Sequence, residues 1–148
     1  MKEKIIDFVK QKHGNQLYGD KPYFYHLENV AKNIEKLSKK KLFIDQFGVI
    51  DNLDDLILCG YLHDVLEDTD CTIFELKDLG LSDSSIETIS LLTKTEFNKE
   101  TYLENIKTNK MSRIVKIADT MHNLSESINS CNYKFIVKYS KQLNYLLQ

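Results

Sequence analysis

The sequence has few of the residues that interrupt helices. It contains one proline, Pro22, and five glycines among 148 residues, and tryptophan is absent. Because proline and glycine most often end regular segments, this composition favours long helices over many short strands. No apolar run approaches the ~20 residues that a membrane-spanning helix needs, and the first residues lack the apolar stretch of a secretory signal. We therefore expect an all-α protein of the cytoplasm with no membrane partner.

Cysteine is scarce, and neither sign of charge dominates. Cys59, Cys71 and Cys131 lie far apart without a C-x-x-C pair, so neither a disulfide framework nor a zinc site made of cysteines alone is expected. The net charge of -2 at pH 7 does not suggest the basic face that binds nucleic acid. A chain of this length can bury a hydrophobic core that is stable without disulfides or structural metal ions. We expect one domain over residues 1–148, and its oligomeric state stays open.

The spacing of apolar residues predicts helices along most of the chain. They cover residues 2–13, 24–38, 53–66, 72–79, 83–92, 99–107, 111–127 and 135–147. The stretch 14–22 is predicted as a loop, and the lysines at 39–41 as an exposed helix end, where cations are favoured by the helix dipole. Because 53–66 is apolar on more than one face, it is expected to be a continuous central helix.

Two histidines and two aspartates stand out in these helices. His26 opens one helix, His63 and Asp64 lie in the central one, and Asp119 lies inside another apolar helix. A buried carboxylate costs several kcal/mol unless it is paired or bound to a cation, and two imidazoles with two carboxylates can share one divalent ion. Such a mixed set suits Mn²⁺, Fe²⁺ or Zn²⁺ better than Ca²⁺ or Mg²⁺. The pattern predicts a metal site.

Glu67 and Asp68 follow the predicted ligands closely in the sequence and are expected to lie beside the metal site. Glu67 follows His63 by four residues and Asp64 by three, which on a continuous helix is the same face. Such carboxylates can orient an attacking water, take its proton or protonate a leaving group. A bound metal can lower the pKa of that water from about 15.7 to about 7. The sequence thus predicts hydrolysis, with Glu67 and Asp68 assisting.

Each of these residues has a simpler interpretation when it is taken alone. His26 can be an interior or surface histidine, Asp119 can pair with Lys116 or Arg113, and the acidic residues after 66 can form a solvated helix end. Asn123, four residues after Asp119, is more often a structural hydrogen-bonding residue. A structural role is also favoured for the two other histidines of the chain. The metal site is favoured because the pattern occurs jointly, in order, in suitable helices.

The order His … His-Asp … Asp resembles the HD phosphohydrolase superfamily, and the local sequence resembles the RelA/SpoT hydrolase domains within it. Residues 13–31 are similar to their first motif, 62–69 to their second and 116–124 to their last. The pair Thr93-Lys94 matches a Thr-Lys of that family. The resemblance covers residues 5–127, and it is most specific in the second and last motifs.

This resemblance implies an HD-type helical bundle and hydrolysis of the 3′-pyrophosphate of the alarmones ppGpp and pppGpp, as in the stand-alone small alarmone hydrolases of the stringent response. The roles it implies are a Mn²⁺ ion on His26, His63, Asp64 and Asp119, a catalytic pair of Glu67 and Asp68, and a nucleotide contact from Asn123. Lys94 is expected to offset phosphate charge.

The chain departs from this family where the nucleotide base is bound. The loop before His26 lacks the family's arginine and offers Tyr18 and Lys21 instead, and Ser125 and Glu126 replace an arginine after the last motif. Tyr18 can stack on a base but cannot replace a bidentate donor. Two alternatives therefore stay open. The chain can hydrolyse another nucleotide, such as a deoxynucleoside monophosphate or a cyclic nucleotide, or it can bind a nucleotide without turnover.

Overall fold

The computed structural model describes residues 1–148 and consists of ten helices and one pair of two-residue strands. In chain order the elements are α1 (Lys2–His13), β1 (Leu17–Tyr18), β2 (Lys21–Pro22), α2 (Phe24–Leu37), α3 (Lys41–Phe47), α4 (Leu53–Leu62), α5 (Val65–Asp68), α6 (Ile73–Asp78), α7 (Asp83–Leu92), α8 (Tyr102–Lys107), α9 (Lys110–Asn129) and α10 (Tyr133–Leu147). The predicted all-α class is confirmed. No helix combines the length and the apolar character needed to cross a membrane.

The helices α2, α4 and α9 surround the centre of the core. They pack against one another, while α1 and α7 cover α4 and α10 lies along α9. Every residue from 56 to 62 on α4 is buried. Gly60 lets α4 approach α2, because a Cβ there would lie 2.7 Å from Ile34 Cδ1 and 3.3 Å from Ala31 Cα. This close approach brings the end of α4 next to the first turn of α2.

The predicted continuous helix over 53–66 is wrong at its end. Helix α4 stops at Leu62, His63 and Asp64 form a turn, and α5 begins at Val65. The carboxylate of Asp64 makes no hydrogen bond to the backbone of α5 and faces His63 and the hydroxyl of Tyr23 instead. Asp64 occupies the position just before α5. The two predicted metal ligands therefore lie between two helices instead of within one.

Two shorter segments also differ from the sequence prediction. The lysines at 39–41 do not simply end a helix, because Lys41 begins α3, whose Phe43 is buried in the core. The predicted loop before α2 contains a hairpin that pairs Leu17 with Pro22 and Tyr18 with Lys21. Its turn includes Gly19 at a φ of 62°, a conformation that glycine adopts at no steric cost. The hairpin carries Tyr18 towards α2.

Candidate metal centre

Four side chains from three parts of the fold converge on one point. Ligand atoms of His26, His63 and Asp119 all lie within 4.8 Å of one another, and all three residues are buried. Asp64 Oδ2 lies 2.9 Å from His63 Nε2 and 3.7 Å from His26 Nε2. Asp119 Oδ1 lies 3.1 Å from His26 Nε2. The structure thus brings together the four residues for which the sequence predicted a metal site.

The hydrogen bond of His63 leaves its second ring nitrogen facing the carboxylates. His63 Nδ1 is 2.8 Å from the carbonyl oxygen of Gly60, so Nδ1 must carry the proton. His63 Nε2 is buried and forms no well-aligned hydrogen bond, although Asp64 Oδ2 lies 2.9 Å away and Asp119 Oδ1 3.7 Å away. Burial disfavours the charged ring, but the charges of Asp64 and Asp119 outweigh it and raise the pKa of His63 to about 10. Two carboxylates around this nitrogen require either a proton or a cation, so the set fits a divalent metal.

His26 is oriented by the neighbouring His122. Their Nδ1 atoms are 2.8 Å apart. Burial, together with the charge of His26, lowers the pKa of His122 to about 4, so His122 is neutral at pH 7. A neutral His122 can accept through Nδ1 from the Nδ1–H of His26, which leaves His26 Nε2 facing the carboxylates of the centre. His122, for which the sequence favoured a structural role, supports a ligand in this way.

Asp119 uses its two oxygens differently. Lys116 Nζ donates to Oδ2 at 2.8 Å, and Asn123 Nδ2 donates to Oδ1 at 2.8 Å. Burial would raise the pKa of Asp119, but Lys116 and the two histidines hold it well below its usual range. The lysine neutralises part of the buried charge and leaves Oδ1 facing His26 and His63.

Asp64 has a partner that the sequence analysis did not identify. Tyr23, just before α2, donates its hydroxyl to Asp64 Oδ2 at 2.7 Å. Asp64 is also the most exposed of the four side chains, at 17% against 5% or less for the others. The centre is therefore least covered at Asp64. Tyr23 is adjacent to Pro22 in the predicted loop, and nothing in its spacing indicated a contact 41 residues away.

The two predicted catalytic acids lie on α5, each with a fixed hydrogen bond. Glu67 accepts from the backbone N–H of Lys94 at 2.5 Å. Burial, reinforced by the charges of Asp64 and Asp68, raises the pKa of Glu67 despite this hydrogen bond. Asp68 Oδ2 accepts from Gln16 Nε2 at 3.0 Å. Both carboxylates thus lie on the short segment that directly follows Asp64.

Two cavities share the lining residues Asn123 and Tyr139, and Asn123 contacts Asp119 of the centre. The first has a volume of about 400 Å³, and its aromatic lining consists of Tyr18, Tyr25, Phe135 and Tyr139. The second has a volume of about 340 Å³, and its cationic lining consists of Lys94, Lys99, Lys116 and Lys138. The predicted nucleotide contacts Tyr18 and Lys21 line the first cavity and Lys94 the second. Helix α10, which lies beyond the matching motifs, contributes to both.

The fold of packed helices is shared with a known structure. No family model matches the chain, and no curated protein does. The solved structure of a metazoan ortholog of SpoT, a protein described as hydrolysing ppGpp with a role in starvation responses, is similar with a TM-score of 0.75 at 19% sequence identity. The match covers 99% of this chain and 84% of that one. This chain therefore has the helical fold of that SpoT ortholog.

Proposed function

We propose that this protein is a metal-dependent nucleotide phosphohydrolase that removes the 3′-pyrophosphate of ppGpp or of a close analogue. The observation that carries the proposal is the convergence of His26, His63, Asp64 and Asp119, with the buried Nε2 of His63 facing both carboxylates. The likeness in fold to a ppGpp-hydrolysing protein supports the same chemistry. The resemblance of the sequence motifs to RelA/SpoT hydrolase domains supports it independently of the fold.

The four converging residues would hold the cation, and we propose Mn²⁺ because imidazole and carboxylate ligands together suit it. A divalent ion there would polarise a phosphoryl oxygen and lower the pKa of a water molecule. Tyr23 and His122 would keep Asp64 and His26 in their binding orientations. Partners of this kind fix the rotamer and tautomer of a ligand.

Glu67 and Asp68 would handle the proton. Because partial burial raises the pKa of Glu67, its carboxylate accepts a proton more readily, and holds it to a higher pH, than a fully solvated glutamate does. We assign Glu67 to proton transfer between the attacking water and the leaving group. Asp68, four residues after Asp64 on the same short segment, would orient the attacking water.

The two cavities suggest how a nucleotide would lie across the site. The second cavity contains four lysines against the two carboxylates of Glu67 and Glu100, so it suits phosphate groups. The first cavity is aromatic, and its charged residues are Asp20, Lys21 and Glu126. We propose that the base enters the first cavity and the phosphates the second, with Asn123 between them.

The lining of the first cavity also favours a second candidate substrate class. No arginine lines it, and Glu126 offers an acceptor where the RelA/SpoT motif has a donor nearby. A carboxylate binds the N–H groups of a base, which guanine shares with other bases, so Glu126 does not select guanine alone. Another phosphorylated nucleotide, such as a deoxynucleoside monophosphate or a cyclic nucleotide, is therefore the alternative to ppGpp. The cytoplasmic location expected from the sequence remains a prediction.

The test is incubation of the purified protein with ppGpp and Mn²⁺, with pyrophosphate release as the measurement. We expect release that chelator abolishes and that Glu67→Gln reduces by about 100-fold or more, while Mn²⁺ binding by this variant persists. Failure with ppGpp but turnover of another nucleotide would favour the second candidate. Nucleotide binding without any product would instead favour a binding module, and undiminished turnover in chelator would refute the metal-dependent proposal.

A further inference from the structure

Gln16 connects the end of α1 to the acidic segment α5. Its Oε1 lies 2.8 Å from His13 Nδ1, and its Nε2 donates to Asp68 Oδ2 at 3.0 Å. His13 is buried at the last position of α1 and stacks on Tyr23, with ring centroids 4.7 Å apart and planes 18° apart. A chain of two hydrogen bonds therefore runs from a buried histidine to one of the two predicted catalytic acids.

The direction of both hydrogen bonds follows from the fact that the carboxylate of Asp68 can only accept. An ionised aspartate only accepts, so the amide nitrogen of Gln16 must face Asp68. The amide oxygen then faces His13, whose Nδ1 must carry a proton. His13 Nε2 is buried without a partner, and a second proton there would have no acceptor. The contacts thus place a proton on Nδ1 of His13 and leave Nε2 without a partner.

We propose that His13 and Gln16 are positioning residues that hold Asp68 in its reactive orientation. His13 fixes the amide of Gln16, and this amide fixes one oxygen of Asp68. The inference rests on the proposed function, in which Asp68 orients the attacking water. The connection matters because α5 has only four residues and the side chain of Asp68 is exposed. Without Gln16 this side chain would have several rotamers of similar energy.

A separate contact also ties α1 to the segment after α5. Lys12 Nζ lies 2.9 Å from Asp70 Oδ1 and 2.7 Å from Glu75 Oε1. These ion pairs do not touch Asp68. They provide a control, because removing Lys12 loosens the neighbouring contact of α1 with Asp70 and Glu75 and leaves the hydrogen bond of Gln16 to Asp68 intact.

The test compares Gln16→Met, which keeps the length but loses both hydrogen bonds, with Lys12→Met. For Gln16→Met we expect kcat to fall by about 10- to 100-fold, which is the usual loss when a residue that orients a reactive group is removed. We expect KM to change by less than about threefold. Lys12→Met should lower Tm and leave kcat within about twofold. A fall in kcat for Lys12→Met equal to that for Gln16→Met would overturn the proposal.

A double-mutant cycle separates positioning from a merely structural role. In an Asp68→Asn background, Gln16→Met should reduce kcat no further, because the residue through which it acts is gone. Additive losses would overturn the proposal. The ¹⁵N chemical shifts of the His13 ring provide a readout besides activity. We expect a protonated Nδ1 and a bare Nε2, and the opposite tautomer would also overturn the proposal.

These outcomes distinguish the two proposals. If the wild-type protein turns over no nucleotide, the proposed function fails and the positioning role fails with it. If the wild-type protein is active but Gln16→Met is unchanged, only the positioning role fails.

Discussion

Tyr18 stacks face to face on His26, with ring centroids 4.6 Å apart and planes 7° apart. Its hydroxyl donates to Asn123 Oδ1 at 2.7 Å. The hairpin therefore packs directly on the candidate metal centre and on a predicted nucleotide contact. One face of Tyr18 is occupied by His26, so any base in the first cavity would meet its remaining face or edge.

This stacking predicts different effects for two substitutions of Tyr18. Tyr18→Phe keeps the ring on His26 and loses only the hydrogen bond to Asn123, so we expect the affinity for Mn²⁺ to change by less than about twofold. Tyr18→Ala exposes His26 and should weaken Mn²⁺ binding by about 10-fold or more, as for other partners of ligands. Titration calorimetry with Mn²⁺ measures both, and equal losses would contradict the role of the ring.

Metal binding should be visible in the stability of the protein. Adding Mn²⁺ to chelator-treated protein at about 100 times its Kd should stabilise the fold by about 2.7 kcal/mol, because a cation relieves the repulsion between Asp64 and Asp119. Asp119→Asn should remove this increase in Tm. Asp70→Asn is the control, since Asp70 pairs with Lys12 and is far more exposed. An increase that survives in Asp119→Asn would count against the site.

The pH dependence of turnover should report Glu67. Burial raises its pKa, and a base works only when it is deprotonated, so activity should be lost as pH falls through a value above the ordinary glutamate pKa of about 4.3. Glu67→Gln should remove this acidic limb from the residual kcat/KM profile. A limb that remains unchanged in this variant would assign the titration to another group.

The cavity lined by lysines makes a separate prediction about substrate binding. Lys138 lines it and forms no ion pair with a carboxylate, whereas Lys134 on the same helix lies outside it. Lys138→Met should raise KM for a substrate with several phosphates by about 10-fold, the loss of one charge-assisted contact. Lys134→Met should leave KM unchanged. Equal effects of the two substitutions would show that the general charge of α10, and not the cavity, is responsible.

The close approach of α4 and α2 predicts a stability effect. Gly60→Ala would place a Cβ 2.7 Å from Ile34 Cδ1, and overpacking of this kind costs about 1–3 kcal/mol. The additional change Ile34→Val removes the Cδ1 atom and should recover part of the loss. Denaturant unfolding of both variants measures this. A double variant less stable than the sum of the two single effects would contradict the predicted clash.

Features that depend on local sequence could be predicted, and those that depend on contacts between helices could not. The predicted helix 83–92 has the same bounds as α7, because Ser82 caps its start and Ile86, Ile89 and Leu92 face the core. The break at His63 was missed because the apolar pattern continues through it. The contact of Gln16 with Asp68 joins residues 52 positions apart. The spacing of apolar residues contains no information about contacts between residues so far apart in the sequence.

The candidate site also shows which of its residues the sequence can indicate. Buried ligands such as Asp119 stand out because a carboxylate in an apolar helix requires a partner. Tyr23 and His122 do not stand out in the sequence, because a tyrosine or a histidine in a helical segment has many ordinary structural roles. Lys138 could not be predicted either, because its place in the second cavity depends on how α10 lies along α9.

The hairpin between α1 and α2 has a consequence for divergence and for engineering. It provides one wall of the first cavity from a segment of only six residues, whereas the cation would be held by the ends of α2 and α4 and the middle of α9. If the base enters this cavity as proposed, substituting residues 19–21 while keeping Tyr18 on His26 would alter which nucleobase is accepted and leave the hydrolytic apparatus intact. Grafting turns from other members of the fold is therefore a direct route to new selectivity.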